Sequence, residues 1–265
     1  MKKKERFLQI NYKCVKEDLT STLNKAKESD DYGVYFYTDI SLYSSQLSYL
    51  IIALNENFNE GKRYAYISAL AYDIEMKKYG WAIVHGFLPF PYRVFCELEI
   101  LYSAFLTNNH KLIKSIIFEM AESDKDTIKK NIDEFYYNIY NVIKCIYTND
   151  NESLEVYINK LEAFRKRNDM KDYMHYVDGL EAIIEKNEDK LIRALISMNE
   201  VHENLEEYCD TLNETICMPA LGIGKLAMFK GMKVICNDID IPLFNEFMND
   251  TDEINEHIEY LKYSK

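Results

Sequence analysis

The chain has 265 residues, with 32 basic and 44 acidic side chains and a formal net charge of −12. This charge argues against nucleic acid or an anionic membrane surface as a ligand, because both repel an acidic protein. Hydrophobic residues make up 48%, while the 8 Gly and 4 Pro are too few for the many turns of an all-β fold. The composition therefore favours an all-α protein with a large core, and the charge is compatible with a basic protein partner.

Six cysteines occur without a C-x-x-C pair, which predicts reduced thiols rather than a disulfide framework. The basic start Met1–Arg6 is not followed by a long apolar run, so no signal peptide is predicted. No apolar stretch approaches the about 18 residues that a membrane-spanning helix needs. We therefore expect a cytoplasmic protein that does not bind or cross membranes.

Residues 1–40 are treated as a separate N-terminal segment because their pattern is weak. A helix is predicted from Asp18 to about Glu28, followed by an extended or helical segment at 34–38. Asp39 or Ser41 is expected to cap the next helix, which carries an apolar face at helical spacing.

That helix is expected to end at Gly61, and a second helix should run from Lys62 to Tyr79, which together make an α-hairpin. Two prolines within 85–91 forbid helix and predict a linker there. The main α-hairpin domain is assigned to residues 41–245, and residues 246–265 form an acidic C-terminal helix or tail.

A polar turn between two apolar-periodic runs occurs three times from Tyr92 to about Leu205. The first aligned apolar positions are Ile113, Leu154 and Leu191, separated by 41 and then 37 residues. Four further aligned triples are Ile117, Ile158 and Leu195; Met120, Leu161 and Met198; Phe105, Ile146 and Ile183; and Ala104, Cys145 and Ala182. A period near 40 residues predicts stacked antiparallel α-hairpins, an irregular solenoid-like helical repeat.

The pattern changes after the third copy. Tyr208 to Lys230 is predicted to be one apolar helix that Pro219 kinks or divides. Gly231 should end it in the left-handed conformation, before a short extended run at 232–236. Pro242 is expected to start a final helix.

Motifs for chemistry are weak. Gly222-Ile223-Gly224-Lys225 lacks the first glycine and the hydroxyl residue of a phosphate loop, so its glycines are interpreted as close helix packing. His202, Cys209 and Cys217 have spacings that match no compact metal site. We assign no catalytic, cofactor-binding or metal-binding residue, and expect a protein that is not an enzyme.

Acidic clusters give the strongest indication of a partner. The leading cluster lies within residues 199–215, which contain no Lys or Arg, and most of its acids are spaced three or four residues apart. Its members are Glu200, Glu203, Glu206, Glu207, Asp210 and Glu214. Like charges on one helix face repel one another, and a cationic partner would relieve that repulsion. The second cluster is residues 237–260, with eight acids and again no Lys or Arg. The 22 tyrosines suggest that aromatic side chains contribute to the same recognition face.

Four segments resemble the immunity protein 49 family of bacterial polymorphic toxin systems. They are Asn187-Glu188-Asp189 in a hairpin turn, His202 about fifteen residues on, the run from Leu221 to Val234, and Ile241-Pro242-Leu243-Phe244. The likeness covers roughly residues 40–245, and the first 40 residues and the acidic tail lie outside it.

The resemblance implies an all-α, non-enzymatic protein that binds and neutralises a cognate toxin, often a nuclease. If the toxin is a nuclease, its basic substrate groove is the expected target, because an acidic surface imitates phosphate charge. Two alternatives stay open: a tetratricopeptide-like adapter that holds a linear peptide, and a helical metal-dependent hydrolase built on His202 and the cysteines.

Overall fold

The architecture is given by a computed structural model that describes residues 3–28, 35–79, 90–119, 132–202, 205, 216–241 and 243–261. Within these ranges the chain is helical and contains no β-strand. Eleven α-helices occur in these ranges: α1 Lys3–Glu28, α2 Tyr35–Leu54, α3 Phe58–Tyr79, α4 Phe90–Leu106, α5 His110–Glu119, α6 Ile132–Thr148, α7 Asn151–Glu162, α8 Met174–Glu185, α9 Glu188–Val201, α10 Met218–Phe229 and α11 Phe244–Asn249. Short 3-10 turns lie at Ala163–Lys166, Asn168–Met170 and Glu259–Leu261.

Consecutive helices pair as antiparallel hairpins, which confirms the predicted all-α fold. The hairpins are α2–α3, α4–α5, α6–α7 and α8–α9, and their paired helices pack along one another. The aligned apolar triples lie in the core, except that Leu154 and Ile158 are half-buried against it and Met120 falls outside the described residues. The small residues before the turns, Ala104, Cys145 and Ala182, are buried where the two helices of each hairpin converge.

The four hairpin turns share one backbone arrangement. A residue in the left-handed conformation, with φ between 54° and 61°, ends the first helix; these residues are Asn55, Asn108, Asn149 and Lys186. An Asn or Asp then caps the second helix by accepting a 2.9–3.2 Å hydrogen bond from the N–H three residues on; these residues are Asn57, Asn109, Asp150 and Asn187. Asn tolerates left-handed backbone and Asn or Asp caps well, so the repeat period has a local chemical cause.

Helix α10 is the central helix of the fold. All of its residues from Met218 to Ala227 are buried, and it contacts α4, α6, α8, α9 and α11. A helix that is apolar on all sides needs neighbours on all sides. A Cβ at Gly222 would lie 2.1 Å from the ring of Tyr102 on α4, and one at Gly224 would lie 2.8 Å from Met248 Sδ. The prediction that these glycines permit close packing is confirmed.

Several predicted boundaries in the N-terminal half are wrong. Helix α1 begins at Lys3 rather than near Asp18, and α2 begins at Tyr35, before both predicted caps. Gly61 does not end α2 but lies in the first turn of α3, because the turn is made by Asn55 and Asn57. Gly61 instead brings α2 and α3 together, since a Cβ there would lie 3.3 Å from Ile52.

The C-terminal third also differs from prediction. Helix α10 begins at Met218, so Pro219 occupies its first turn. The N–H groups of a first turn make no intrahelical hydrogen bond, so the helix loses nothing by having a proline there. Residues 208–215 of the predicted helix lie outside the described residues. Gly231 is left-handed with φ +80°, as predicted. Residues 232–236 then alternate between buried and exposed side chains, as expected for the predicted extended run, a bend follows at 237–238, and α11 begins at Phe244.

The predicted linker lies mostly outside the described residues. Helix α4 begins at Phe90, with Pro91 in its first turn as expected. The proposed domain boundaries at 40 and 245 stay predictions. No helix within the described ranges is long and apolar enough to cross a membrane.

Many of the tyrosines that the structure describes lie in the core, whereas others such as Tyr43, Tyr64 and Tyr173 are half-buried, so a Tyr-rich recognition face stays a prediction. Those that lie in the core are Tyr37, Tyr49, Tyr66, Tyr72, Tyr102, Tyr136, Tyr137, Tyr140 and Tyr176. Two of their hydroxyls reach buried carboxylates: Tyr49 donates to Glu99 at 2.8 Å, and Tyr72 donates to Glu97 at 3.2 Å. Tyrosine here combines an apolar ring with a hydroxyl that satisfies a buried carboxylate.

Glu75 on α3 is a buried carboxylate with one hydroxyl donor, Thr38 on α2. Burial raises the pKa of Glu75 to about 7, and the Thr38 hydrogen bond offsets part of that rise. Between pH 4.5 and about 7, Glu75 therefore stays protonated in the folded protein, whereas the pKa of 4.5 in the unfolded chain means that it has lost its proton there. The contribution of Glu75 to stability is present below pH 4.5 and is lost as pH rises through about 7.

Glu75→Gln should be more stable relative to wild type at pH 8 than at pH 5, because glutamine cannot ionise in this buried position. The variant's free energy of unfolding minus that of wild type should be about 2 kcal/mol larger at pH 8. Urea unfolding of wild type and variant at the two pH values measures this difference. Glu155→Gln, an exposed change on α7, is the control and should show no such pH dependence. An equal effect of Glu75→Gln at both pH values would contradict the buried titration.

Candidate partner-binding surface

The leading acidic cluster stays a prediction. Glu200 is exposed near the end of α9. The other members lie outside the described residues: Glu203, Glu206, Glu207, Asp210 and Glu214. The surface that the structure does describe is the second cluster, in the C-terminal segment.

The C-terminal segment presents carboxylates to solvent along residues 237–260. Its exposed acids are Asp238, Asp240, Glu246, Asp252, Glu253, Glu256 and Glu259. Glu256 pairs with Arg63, whereas the other six make no ion pair with any residue that the structure describes. No Lys or Arg occurs within residues 237–260, so the segment itself carries charge of one sign, while Arg63 lies beside Glu256 on the adjoining helix.

The remaining acid of this segment, Asp250, is used internally. Its carboxylate is only 12% exposed and forms an ion pair with Lys62 of α3. Lys225 of α10 donates to the Asp250 carbonyl oxygen, and Asn108 Nδ2 donates to the Asp250 carboxylate at 3.0 Å. Lys62 and Lys225 are 4% and 1% exposed, so two buried ammonium groups lie near one carboxylate. Burial lowers the pKa of Lys225 to about 8, and the nearby Asp250 limits that fall.

Residues 250–258, here named the strap, run as an extended chain over α3 and the α4–α5 turn. The carbonyl oxygens of alternate strap residues accept hydrogen bonds from helix side chains. The donors are Lys225 and Asn108 to residue 250, Lys62 and Asn108 to residue 252, Asn109 to residue 254, and Tyr66 to residue 256. The Ile254 N–H donates to the Thr107 carbonyl at 2.9 Å. These bonds fix the backbone of the strap on the helices.

The two sides of the strap differ. Asp250 and Ile254 are half-buried and Ile258 is buried, so every fourth residue faces the helices, whereas the six residues between them are all exposed. One side therefore binds the helices, and the other presents Glu253 and its neighbours to solvent.

The anchors of the strap were missed in the sequence because their partners are far away along the chain. A signal was present: Lys225 stands alone in the apolar run of α10, and a lysine there needs a buried acceptor. We interpreted that run only for its glycines. The sequence did not indicate which acid, 25 residues on, would supply the acceptor.

The residues considered for metal or nucleophilic chemistry do not assemble into a site in the described part of the chain. No group of three or more His, Cys, Asp or Glu side chains there is placed to hold a metal ion. Cys217 is buried, and burial raises the pKa of its thiol to about 12, which disfavours the reactive thiolate. Cys209 lies outside the described residues, so the hydrolase alternative gains no supporting observation.

Comparisons of this chain with known protein families, curated proteins and solved structures found no match. The resemblance to the immunity protein 49 family therefore depends on the sequence segments quoted above. In the structure, Asn187 caps α9, and His202 is buried at the end of that helix. The run from Leu221 lies in the central helix α10, so the segments that carry the resemblance belong mainly to the core.

Proposed function

We propose that this protein binds a basic protein domain, the toxin of a polymorphic toxin system, and neutralises it in the cytoplasm. The proposal combines the family resemblance with the acidic surface. If the toxin is a nuclease, the surface would cover its basic substrate groove and imitate phosphate charge. The protein would act by occlusion, without turning over a substrate.

The observation that supports this proposal most is the row of exposed carboxylates on residues 238–259. It is held by buried contacts of the strap, so binding would not require ordering a free tail. A pre-organised surface of one charge speeds encounter with an oppositely charged partner, and that gain weakens as salt rises.

Charge reversal should separate the two acidic clusters. The first variant changes Asp238, Asp240 and Glu253 to Lys, and the second changes Glu203, Glu206, Glu207 and Asp210 to Lys. The probe is a small basic C-terminal domain of a secreted protein encoded beside this gene. We expect the variant that alters the contacting cluster to slow association with that domain at least about 10-fold and to reduce its salt dependence.

A third variant, Glu152, Glu155 and Asp172 to Lys, reverses three exposed charges outside both clusters and so matches the first variant in net charge. It should change the association rate by less than about 3-fold if the location of the charge matters. Equal slowing by all three variants would attribute the effect to net charge alone. Unchanged kinetics in the first two variants would remove both clusters from the proposal.

The adapter alternative is favoured by a separate observation. An extended segment already lies on the helical hairpins and is bound through its backbone, which is how an adapter would hold a linear peptide. The occupant in this structure is part of the same chain.

A further inference from the structure

Helix and turn side chains bind the backbone of the strap, and they can do so only because that backbone is extended. Four carbonyl oxygens, at residues 250, 252, 254 and 256, each accept a hydrogen bond from a Lys, Asn or Tyr side chain. The donors come from α3, α10 and the α4–α5 turn. This row of donors repeats at the two-residue period of an extended chain and would bind any peptide in that conformation.

Side-chain contacts add selectivity to this backbone recognition. The Asp250 carboxylate enters the buried Lys62 and Asn108 cluster, and Ile258 is buried against the core. Glu256 lies 2.7 Å from Arg63 at a half-exposed position. The contacts favour an acidic peptide with an aspartate at the first position and an apolar residue eight positions later.

Asn109 has two functions at this groove. Its Oδ1 caps α5 through the Leu112 N–H at 2.9 Å, while its Nδ2 donates to the Ile254 carbonyl at 3.1 Å. An Asp would cap the helix equally well but could not donate. The equivalent cap of the α6–α7 hairpin is an Asp, Asp150, and that of α8–α9 is Asn187.

The groove extends beyond the strap. Hollows of about 520 and 300 Å³ adjoin residues 255–258 and share Tyr66, Leu70 and Asn255 in their walls. The larger one is also lined by Lys77, Lys111 and Lys114. A bound peptide with larger or more acidic side chains than the strap could therefore be accommodated.

We propose that α3, α10 and the α4–α5 turn form a binding groove for an acidic, extended peptide, which the strap occupies in cis. A tether places its ligand at a millimolar effective concentration, so a free peptide competes only when the strap is weakened. The groove binds Asp250, Ile254 and Ile258, whereas Asp252 and Glu253 are exposed to solvent. The inference is independent of toxin binding.

The first test asks whether Asn109 holds the strap. Hydrogen exchange is measured on the full-length protein for wild type, Asn109→Asp and Asn187→Asp. We expect the Ile254 amide to exchange at least about 10-fold faster in Asn109→Asp and at the wild-type rate in Asn187→Asp. Both variants keep a helix cap, so a difference between them reports the loss of the donor, and its replacement by a buried carboxylate facing the Ile254 carbonyl, rather than a lost cap.

The second test asks whether the groove binds a peptide in trans. The probe is a fluorescein-labelled synthetic peptide of residues 249–259, titrated by anisotropy into full-length variants. Asp250→Ala weakens the strap but keeps every groove donor, so it should bind the probe at least about 10-fold tighter than wild type. Adding Asn109→Asp should remove that gain, while adding Asn187→Asp should preserve it.

The two measurements are independent of each other. Unchanged exchange of the Ile254 amide in Asn109→Asp overturns the proposal, even if Asp250→Ala fails to fold. Probe binding by Asp250→Ala that is no tighter than in wild type, in a variant with native circular dichroism, also overturns it. Loss of neutralisation of a toxin domain, with both peptide results intact, would concern only the proposed function.

Discussion

Gly222→Ala should destabilise the protein by about 3 kcal/mol or more, although alanine is the better helix former by about 1 kcal/mol. Gly222 lies in the middle of α10, where α4 crosses it. An added Cβ would lie 2.1, 2.6 and 2.8 Å from three atoms at the base of the Tyr102 side chain. Because Tyr102 is 1% exposed and Tyr102 Cβ is fixed to the backbone of α4, relief requires that the two helices separate.

Gly179→Ala on α8 is the matched control. Its added Cβ would lie 3.1 Å from Met198 Cε, the free end of a flexible side chain, and 3.3 Å from Ile223 Cγ2. We expect a change of less than about 1 kcal/mol, since the methionine can move and alanine favours the helix. Urea unfolding measures both variants. Equal effects would mean that the α4–α10 crossing is not closely packed.

Lys62→Met should lower the free energy of unfolding by about 3 kcal/mol. The change removes the buried ammonium group that pairs with Asp250 and donates to the Asp252 carbonyl. Asp250 would keep Asn108 and the nearby Lys225, so the loss should be at the lower end for a broken buried ion pair. The strap should also open, which hydrogen exchange at Ile254 would report.

The adjacent Arg63→Met provides a close comparison. Arg63 is on the same helix and pairs with Glu256 of the same strap, but the two side chains are 55% and 45% exposed. Exposed ion pairs contribute little, so this variant should cost less than about 1 kcal/mol. A loss for Lys62→Met no larger than that for Arg63→Met would show that the strap is not anchored by its buried charge.

These expectations divide the acidic C-terminal segment into two classes of carboxylate. Asp250 holds the segment in place through buried lysines, so reversing its charge would lower the stability of the protein rather than test partner binding. Exposed acids such as Asp240 and Glu253 can be changed without touching those anchors. Tests of partner binding are therefore interpretable only if Asp250 and its contacts are left intact.

The sequence was sufficient for the fold class and for the hairpin register. Both depend on short-range chemistry: apolar spacing selects helix, and Asn or Asp at the turns ends one helix and caps the next. These signals lie within a few residues of one another, so they can be identified without knowing the fold. Gly61 and Pro219 were misinterpreted because each residue type has two roles, and neighbouring turns or helix starts decide between them.

Only the tertiary structure decided what the acidic segment does within the molecule. Asp250 lies 188 residues from Lys62 and 142 from Asn108 along the chain, and no local pattern links such positions. The sequence by itself determined that helices pair in a repeating register and that the C-terminal segment is acidic. Packing determined which acid is buried and which face solvent, because a buried charge is stable only where the fold supplies partners from distant elements.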